Sequence, residues 1–595
     1  MRLLVVLLIA VPAFAAPVTL TVHDYATGDG PAELVSNGIP FPPGALTDLR
    51  NLRVFDGTTE VPIGTKVLAR WHHDGSIRVA LVQFLATAAG TRTFDVAAGM
   101  RTTTDRALTP VTWRFPRRIA TLPAAYLSSS YVMWEQKPLG SGAWDMLQLN
   151  RFMSIDTEPV ATTPCARTDQ YYDSANSSYG VYVRSGQLRH LTNGRRWAHH
   201  HGRHQVYLSG TNIGHGICTG GYVNNTRYTF ADSLVRDYFF WGDEESLRVA
   251  GLIVDNFYMP HQASWYYKAP NTRGFWTERE AAFAQLGILA YYEATGTQMY
   301  LDRVRTRVHE LRRMQADNGN RAWVHNLYDH DPSEGCGMND YGASSFMSGL
   351  LFESLIRYHK MTCDPLAAES LRWAVDDLRA RNVATGDYAG ASLIYLGCPQ
   401  TNSAYIHGNP DLDNLVSHGW AYAYRLSGFT RTQDRDFAQA LLNTAVTEGF
   451  TGAPKQYNQA FRSSGNTVAY LDQAVPPAIP CGAFDGGMGG AGGGMSGTGG
   501  GMSGAGGGMS GTGGGMSGAG GGTSSGTGGG SGTAGGAASG GSGGGTTSGT
   551  GGSGGSTGAG GGGDEMMQPG CGCGVTWSPL LLGLVALALR RRRSR

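Results

Sequence analysis

The sequence predicts a multidomain protein: an N-terminal all-β domain, an all-α domain of helical hairpins forming an (α/α) toroid, a glycine-rich linker and a short C-terminal transmembrane helix. Three observations carry this. Between residues 17 and 105 apolar and polar residues alternate in short runs broken by Gly, Pro and Asp, the period of half-buried strands. From 169 to 480 the period becomes helical and the pattern repeats, the mark of stacked helical units. From 481 to 564 the chain is almost entirely Gly, Ser, Thr and Ala, which offers no side chains to bury and stays a flexible tether.

Residues 1–16 hold Arg2, an apolar run and the small-x-small sequence Ala13, Phe14, Ala15, the pattern of a cleaved signal peptide, so export is expected. In the β domain the runs "VTLTV", "LRVFD", "VALVQFLAT" and "TRTFDVAAG" read as strands, and Asp74 with Gly75 marks a hairpin turn. Residues 106–168 form a connecting region containing Pro and Arg.

In the helical domain each unit is a helix of small and aromatic residues, a tight polar turn and a more charged second helix. The turns at Ser185/Gly186, Trp241/Gly242, Thr295/Gly296, Cys363/Asp364 and Ser427/Gly428 recur at intervals of 56, 54, 68 and 64 residues. Five hairpins are visible. Their first helices suit an inner ring and their second helices a solvated outer one. A sixth pair, from 126–152 or from 456–471, would close the ring; an open α-solenoid is the alternative.

Connections between hairpins are long, aromatic and ionisable, and each precedes an inner helix, so they gather on one rim. Such a rim suits sugars. The aromatic and polar candidates for substrate binding are Trp265, Tyr266, Trp276, Tyr328, Tyr405, Asp413 and His418. Two chemistries fit. In uronide β-elimination a cation neutralises the carboxylate, a base takes the C5 proton and an acid protonates the leaving oxygen; Arg273, His330, Tyr341 and His407 suit these roles. In glycoside hydrolysis two carboxylates act as acid and base, for which Asp329, Asp331, Asp340 and Glu278 are candidates. Each also has a plain structural reading: Asp413 as a helix cap, Glu278 as a first-turn acid facing the helix dipole, Asp340 as a helix start.

The run His199, His200, His201 with His204 has helical metal-ligand spacing, but no acidic residue lies in that turn, and it is expected on an exposed outer helix as a basic patch. Asp329 and Asp331 are spaced as in a calcium loop without its Gly and Glu. No cofactor and no metal are therefore expected. Nucleophile-elbow, zincin, Walker and dinucleotide motifs are absent. Lys plus Arg (47) nearly balance Asp plus Glu (46), with no basic block before the terminal arginines, which argues against nucleic acid or nucleotide partners. Six of the 8 cysteines lie between residues 17 and 481, an even number suited to disulfides in an oxidising compartment.

Within the β domain, Gly38, Ile39, Pro40, Gly44, and Ala69, Arg70, Trp71 followed by Asp74, Gly75, Ser76 and Arg78 resemble the N-terminal RIFT-barrel domain of exo-rhamnogalacturonan lyase/YetA-like proteins. One extra His stands between Trp71 and Asp74. That resemblance implies a RIFT-like barrel and favours a lyase, and carries no catalytic residue across.

Residues 565–595 hold Cys571, Gly572, Cys573, an apolar run over 575–589 and a terminal arginine cluster. Their order resembles the myxobacterial C-terminal sorting signal, MYXO-CTERM. The resemblance implies that Cys571 and Cys573 mark a sorting motif read by a protease. The arginines should stay cytoplasmic. The expected protein is exported, tethered at the cell surface, and acts on a uronide-containing polysaccharide by β-elimination. A glycoside hydrolase and a non-catalytic glycan-binding adhesin are the alternatives.

Overall fold

A computed structural model describes residues 17–28, 30–95, 100–111, 113–152, 170–217, 226–261, 277–319, 321–330, 336–397, 406–452 and 454–481. The expected signal peptide, tether, C-terminal helix and sorting motif with Cys571 and Cys573 lie outside them. Among the described residues no helix is long and apolar enough to cross a membrane.

Eight strands build one mixed sheet: β1 (Val18–Asp24), β2 (Leu34–Pro40), β3 (Arg53–Asp56), β4 (Thr59–Glu60), β5 (Gly64–Arg70), β6 (Ile77–Leu85), β7 (Gly90–Asp95) and β8 (Arg118–Thr121). Their spatial order is β4-β3-β7-β1-β8-β2-β6-β5, antiparallel except where β2 meets β8. The edge strands β4 and β5 do not pair with each other, so the sheet is an open half-barrel. This corrects the RIFT-barrel expectation: its turn residues are present, and Gly75 adopts a φ of 74°, but the hydrogen-bonded circuit does not close. Leu20, Val35, Ile39, Val54, Val79 and Phe84 form the sheet's core.

The β6 strand is buried at every position but its last, because helices cover the face that a solitary sheet would leave wet. At Gly38 the sheet backbone comes so close to a helix that a Cβ there would sit 1.7 Å from the Phe239 carbonyl oxygen.

The helices, from α1 (Ala124–Ser129) and α2 (Ala143–Arg151), continue as hairpins: α3 (Ser174–Ser185) with α4 (Leu188–His204), α5 (Asp232–Trp241) with α6 (Glu244–Ile253), α7 (Glu278–Thr295) with α8 (Gln298–Asp317), α9 (Ser345–Thr362) with α10 (Pro365–Arg381), and α11 (Ser417–Leu426) with α12 (Thr432–Glu448). Two short helices follow, α13 (Pro454–Phe461) and α14 (Ser464–Leu471). The predicted turns end four first helices in the left-handed conformation, at Gly186, Gly242, Gly296 and Cys363, as the αL cap requires.

First helices pack in succession, α3 on α5, α5 on α7, α7 on α9, α9 on α11 and α11 on α14, and α14 returns to α3. The succession closes. Both candidate segments supply the sixth pair: α2 lies outside α13, with the Gln148 amide donating to Ala460 O at 2.6 Å and the Phe152 ring against Tyr457 and Phe461.

Sheet and ring are joined by buried charge. Glu293 near the end of α7 pairs with Arg78 of β6 at 3.2 Å and Arg236 of α5 at 2.7 Å. Arg357 of α9 donates two 3.0 Å hydrogen bonds to Asp232, which also pairs with Arg236 at 3.2 Å. Burial alone would raise the Glu293 carboxyl, but Arg236, Arg78 and Arg357 outweigh it and hold it at about 2. Arg78 lies over the rings of Trp71 and Trp134, and His72 hydrogen-bonds Tyr292 O at 3.0 Å.

A strap over residues 472–481 packs against Trp134. Ala478 and Ile479 pack on Trp71 and Trp134, the Ala478 N–H donates to Glu135 at 2.8 Å, and a Cys363–Cys481 disulfide fastens the end.

Replacing Glu293 by Gln leaves three arginines crowded without their anion and should lower unfolding free energy by roughly 3–5 kcal/mol in denaturant titration. Because its folded pKa lies below the ordinary 4.5, the wild-type contribution is present above that value and drains away as pH falls toward about 2; the Gln variant should lack this acid limb.

Candidate functional site

The inner helices run the same way, so their N-termini share one rim. Asp173 caps α3, its carboxylate accepting from Asn176 N at 3.2 Å. Asp232 opens α5, and Glu278, Arg279 and Glu280 open α7. Acids suit these positions because helix N-termini are electropositive.

Tyr172 and Asp173 both hold positive φ, 69° and 66°, a strain that non-glycine residues sustain only where their surroundings impose it. Here the surroundings are visible. Arg462 donates to Tyr172 O at 3.0 Å, and Asn458 donates to Tyr171 O and to the Ser174 hydroxyl at 2.9 and 2.8 Å. The closing helix α13 and the residue after it thus fix the turn that aims Asp173. Asp173 is fully buried; burial pushes it up to about 6 against the pull of Arg462, and Asp232 adds to the rise.

Around this acid stand aromatic rings. Tyr171 lies 4.2 Å from Tyr172 and 5.4 Å from Tyr228. Phe346 stacks on Tyr395 at 5.1 Å and meets Tyr172 edge-on. Tyr228 and Tyr395 are half-buried. Arg279 reaches between Tyr171 and Phe346 and donates to the Tyr171 hydroxyl. Its neighbours are engaged elsewhere: Glu278 pairs with His325 at 3.1 Å, and Glu280 accepts from Thr226 at 2.7 Å. A buried carboxyl with a raised pKa, a cation and an aromatic wall therefore share one rim.

The sequence-derived candidates are distributed otherwise. Arg273, Trp265, Tyr266, Trp276 and Tyr405 lie outside the described residues. Asp329 and His330 fall on the helical turn Leu327–His330, with half-buried Tyr328 beside them. Tyr341 pairs with Asn326 in a two-stranded ladder, β9 (His325–Asn326) with β10 (Tyr341–Gly342). The Asp340 carboxylate accepts from Gly337 N at 2.5 Å, closing its own turn. His407 is exposed and ties a loop, 3.2 Å from Asp387.

Asp413 is buried, accepts from Leu393 N at 3.2 Å, and is pushed well above the carboxylate range by burial. His418 lines an axial cavity of about 40 Å³ with Lys360, Glu353 and Arg462; burial, then Lys360 and Arg462, depress it to about 3, so it is neutral. Among the described residues no hydrogen bond joins Tyr341, His407, Asp413 and His418 to one another.

His199, His200 and His201 are buried, contrary to the expected exposed patch, and only His204 of the group is exposed. Trp113 and Phe115, from the connection between β7 and β8, cover His199, and His201 accepts from Phe230 N at 2.9 Å. His199, Asp237 and Asp243 cluster closely enough to hold a metal. Arg195 already supplies the balancing charge, 3.6 Å from Asp237 and 3.2 Å from Asp243.

Sequence reasoning missed Asp173 and Arg279. The only signal for Asp173 is an acid directly after two tyrosines where an inner helix starts. In sequence that is indistinguishable from an ordinary cap.

No family profile and no curated protein matches the chain. Among solved structures, it is similar to an unsaturated glucuronyl hydrolase specific for heparin, at 10% identity and a TM-score of 0.38, covering 56% of this chain and 96% of that one. A glycosyl hydrolase of family 88 from Bacteroides vulgatus matches at 12% identity and 0.39, covering 56% and 100%. A polysaccharide lyase matches at 12% and 0.39, covering 56% and 98%. At these scores the likeness assigns no activity to this chain. The open sheet overturns the resemblance drawn for the N-terminal domain, and none of the three is described as an exo-rhamnogalacturonan lyase.

Proposed function

We propose that this protein is a carbohydrate-active enzyme that acts on a uronide-containing polysaccharide at the N-terminal rim of the helical ring, with Asp173 as proton donor. The supporting observation is Asp173 itself: a buried carboxyl pushed up to about 6 and held in a strained turn that directly follows Tyr171, the ring Arg279 touches. A carboxyl with that pKa holds its proton in mildly acidic solution and still carries a minor share of it at neutrality, the poise that general acid catalysis needs. In β-elimination the base takes the C5 proton, the bond from C4 to the leaving oxygen breaks, and Asp173 protonates that oxygen. Tyr171, Tyr228 and Tyr395 offer ring faces to sugar C–H surfaces.

The same proposal places the protein outside the cytoplasm, tethered to a membrane through residues 575–589. The Cys363–Cys481 disulfide supports this, since such bonds persist in oxidising compartments. An externally added protease should degrade the ring domain of intact cells; complete protection would contradict surface display.

Asp173→Asn keeps the shape and removes the titrating proton. It should lower kcat on acidic polysaccharides by roughly 10²–10⁴ while leaving binding in place. Wild-type activity should fall as pH rises through about 6, where the donor loses its proton. Ultraviolet absorbance appearing with new chain ends identifies elimination. New ends without absorbance identify a hydrolase, and binding without either product would contradict an enzyme.

A further inference from the structure

We propose that Arg279 is the seat of the substrate's carboxylate, so that the site selects acidic sugars over neutral ones. The inference rests on the carbohydrate reading above and deepens it from a rim to a single specificity-determining side chain.

The observation is an imbalance. Eight arginines among the described residues are buried: Arg78, Arg184, Arg195, Arg236, Arg279, Arg307, Arg357 and Arg462. Seven have a carboxylate within ion-pair distance. Arg279, 3% exposed, is the one of the eight with no carboxylate of a described residue in that range.

Its Nη1 donates to the Tyr171 hydroxyl, a neutral acceptor, while Nε and Nη2 have no hydrogen-bond partner among the described residues. A guanidinium taken from water without an anion is destabilising, which is why buried charges are paired. The two acids adjoining it in sequence cannot discharge the imbalance, because Glu278 is turned to His325 and Glu280 to Thr226.

The open donors are also the right ones. Nε and Nη2 form one edge of the planar guanidinium, two parallel N–H groups matched to the two oxygens of a carboxylate. Tyr171 and Phe346 hold the plane, their ring centroids 5.7 and 5.9 Å from the guanidinium carbon. The aromatic rings meet the sugar body and the Nε and Nη2 edge meets its acid, on the rim that also carries Asp173. Glucuronate and galacturonate carry both features; a neutral hexose lacks the second.

The test uses the full-length protein with polygalacturonate, alginate and a glucuronan, each beside its methyl ester, which keeps the backbone and removes the charge. Wild type should bind the best acid polymer at least about tenfold tighter than its ester. Arg279→Gln should abolish that preference while leaving ester affinity unchanged, and salt should weaken only the acid form.

Arg279→Lys, which keeps the charge without the fork, and Tyr171→Phe, which removes the Nη1 acceptor, provide reduced preference as the readout if Arg279→Gln does not fold. Equal binding of acid and ester by a wild-type protein that still turns over polysaccharide overturns the role of Arg279 and spares the function. An equal loss of both affinities in every folded variant also overturns it. A wild type that neither binds nor cleaves any of these polymers overturns both readings.

Discussion

The structure depends on a buried carboxylate, Glu293, that three arginines from three elements converge upon. Arg78 comes from the sheet, Arg236 from the second inner helix and Arg357 from the fourth. Removing these charges from water is expensive, and only mutual pairing offsets it. The pairing fixes geometry as well. β6 cannot shift along the ring without stranding Arg78, and α5, α7 and α9 cannot change their rotation without stranding Glu293 or Asp232. Apolar packing, which tolerates small slides, would not impose this.

From that end of the ring to the rim, the order is carried by the inner helices. Asp232 opens α5 and is locked by Arg357, and it in turn raises Asp173. Arg462 pairs with Glu353 at 2.8 Å and holds the Tyr172 carbonyl, so the closing segment sets the strained turn. The acid at the rim thus owes its position to helix order and its proton to the burial that ring closure produces. The same enclosure leaves Arg279 with two donors facing no carboxylate among the described residues.

Much of this architecture was legible in the sequence, for identifiable reasons. The hairpins were readable because αL caps need Gly at 186, 242 and 296, and because small residues mark the inner helices. The sixth pair was ambiguous since its outer helix α2 precedes its inner partners by some 300 residues, and α13 and α14 are only eight residues each. Periodicity has no purchase on so short a segment. His199 to His201 were expected in solvent because nothing local shows that Trp113 and Phe115 fold across α4. Arg78 was legible only as part of a turn motif, its partner lying 215 residues away in the chain. The rim acid was hidden for a different reason: its pKa is made by burial, which the order of residues around Asp173 does not encode.

The most direct measurement is a crystal structure of the Asp173→Asn variant soaked with an acidic oligosaccharide. The account predicts a sugar across Tyr171 and Phe346, its leaving oxygen within hydrogen-bond reach of residue 173 and its carboxylate on the Nε and Nη2 edge of Arg279. A well-ordered sugar bound elsewhere, with the rim empty, would contradict it.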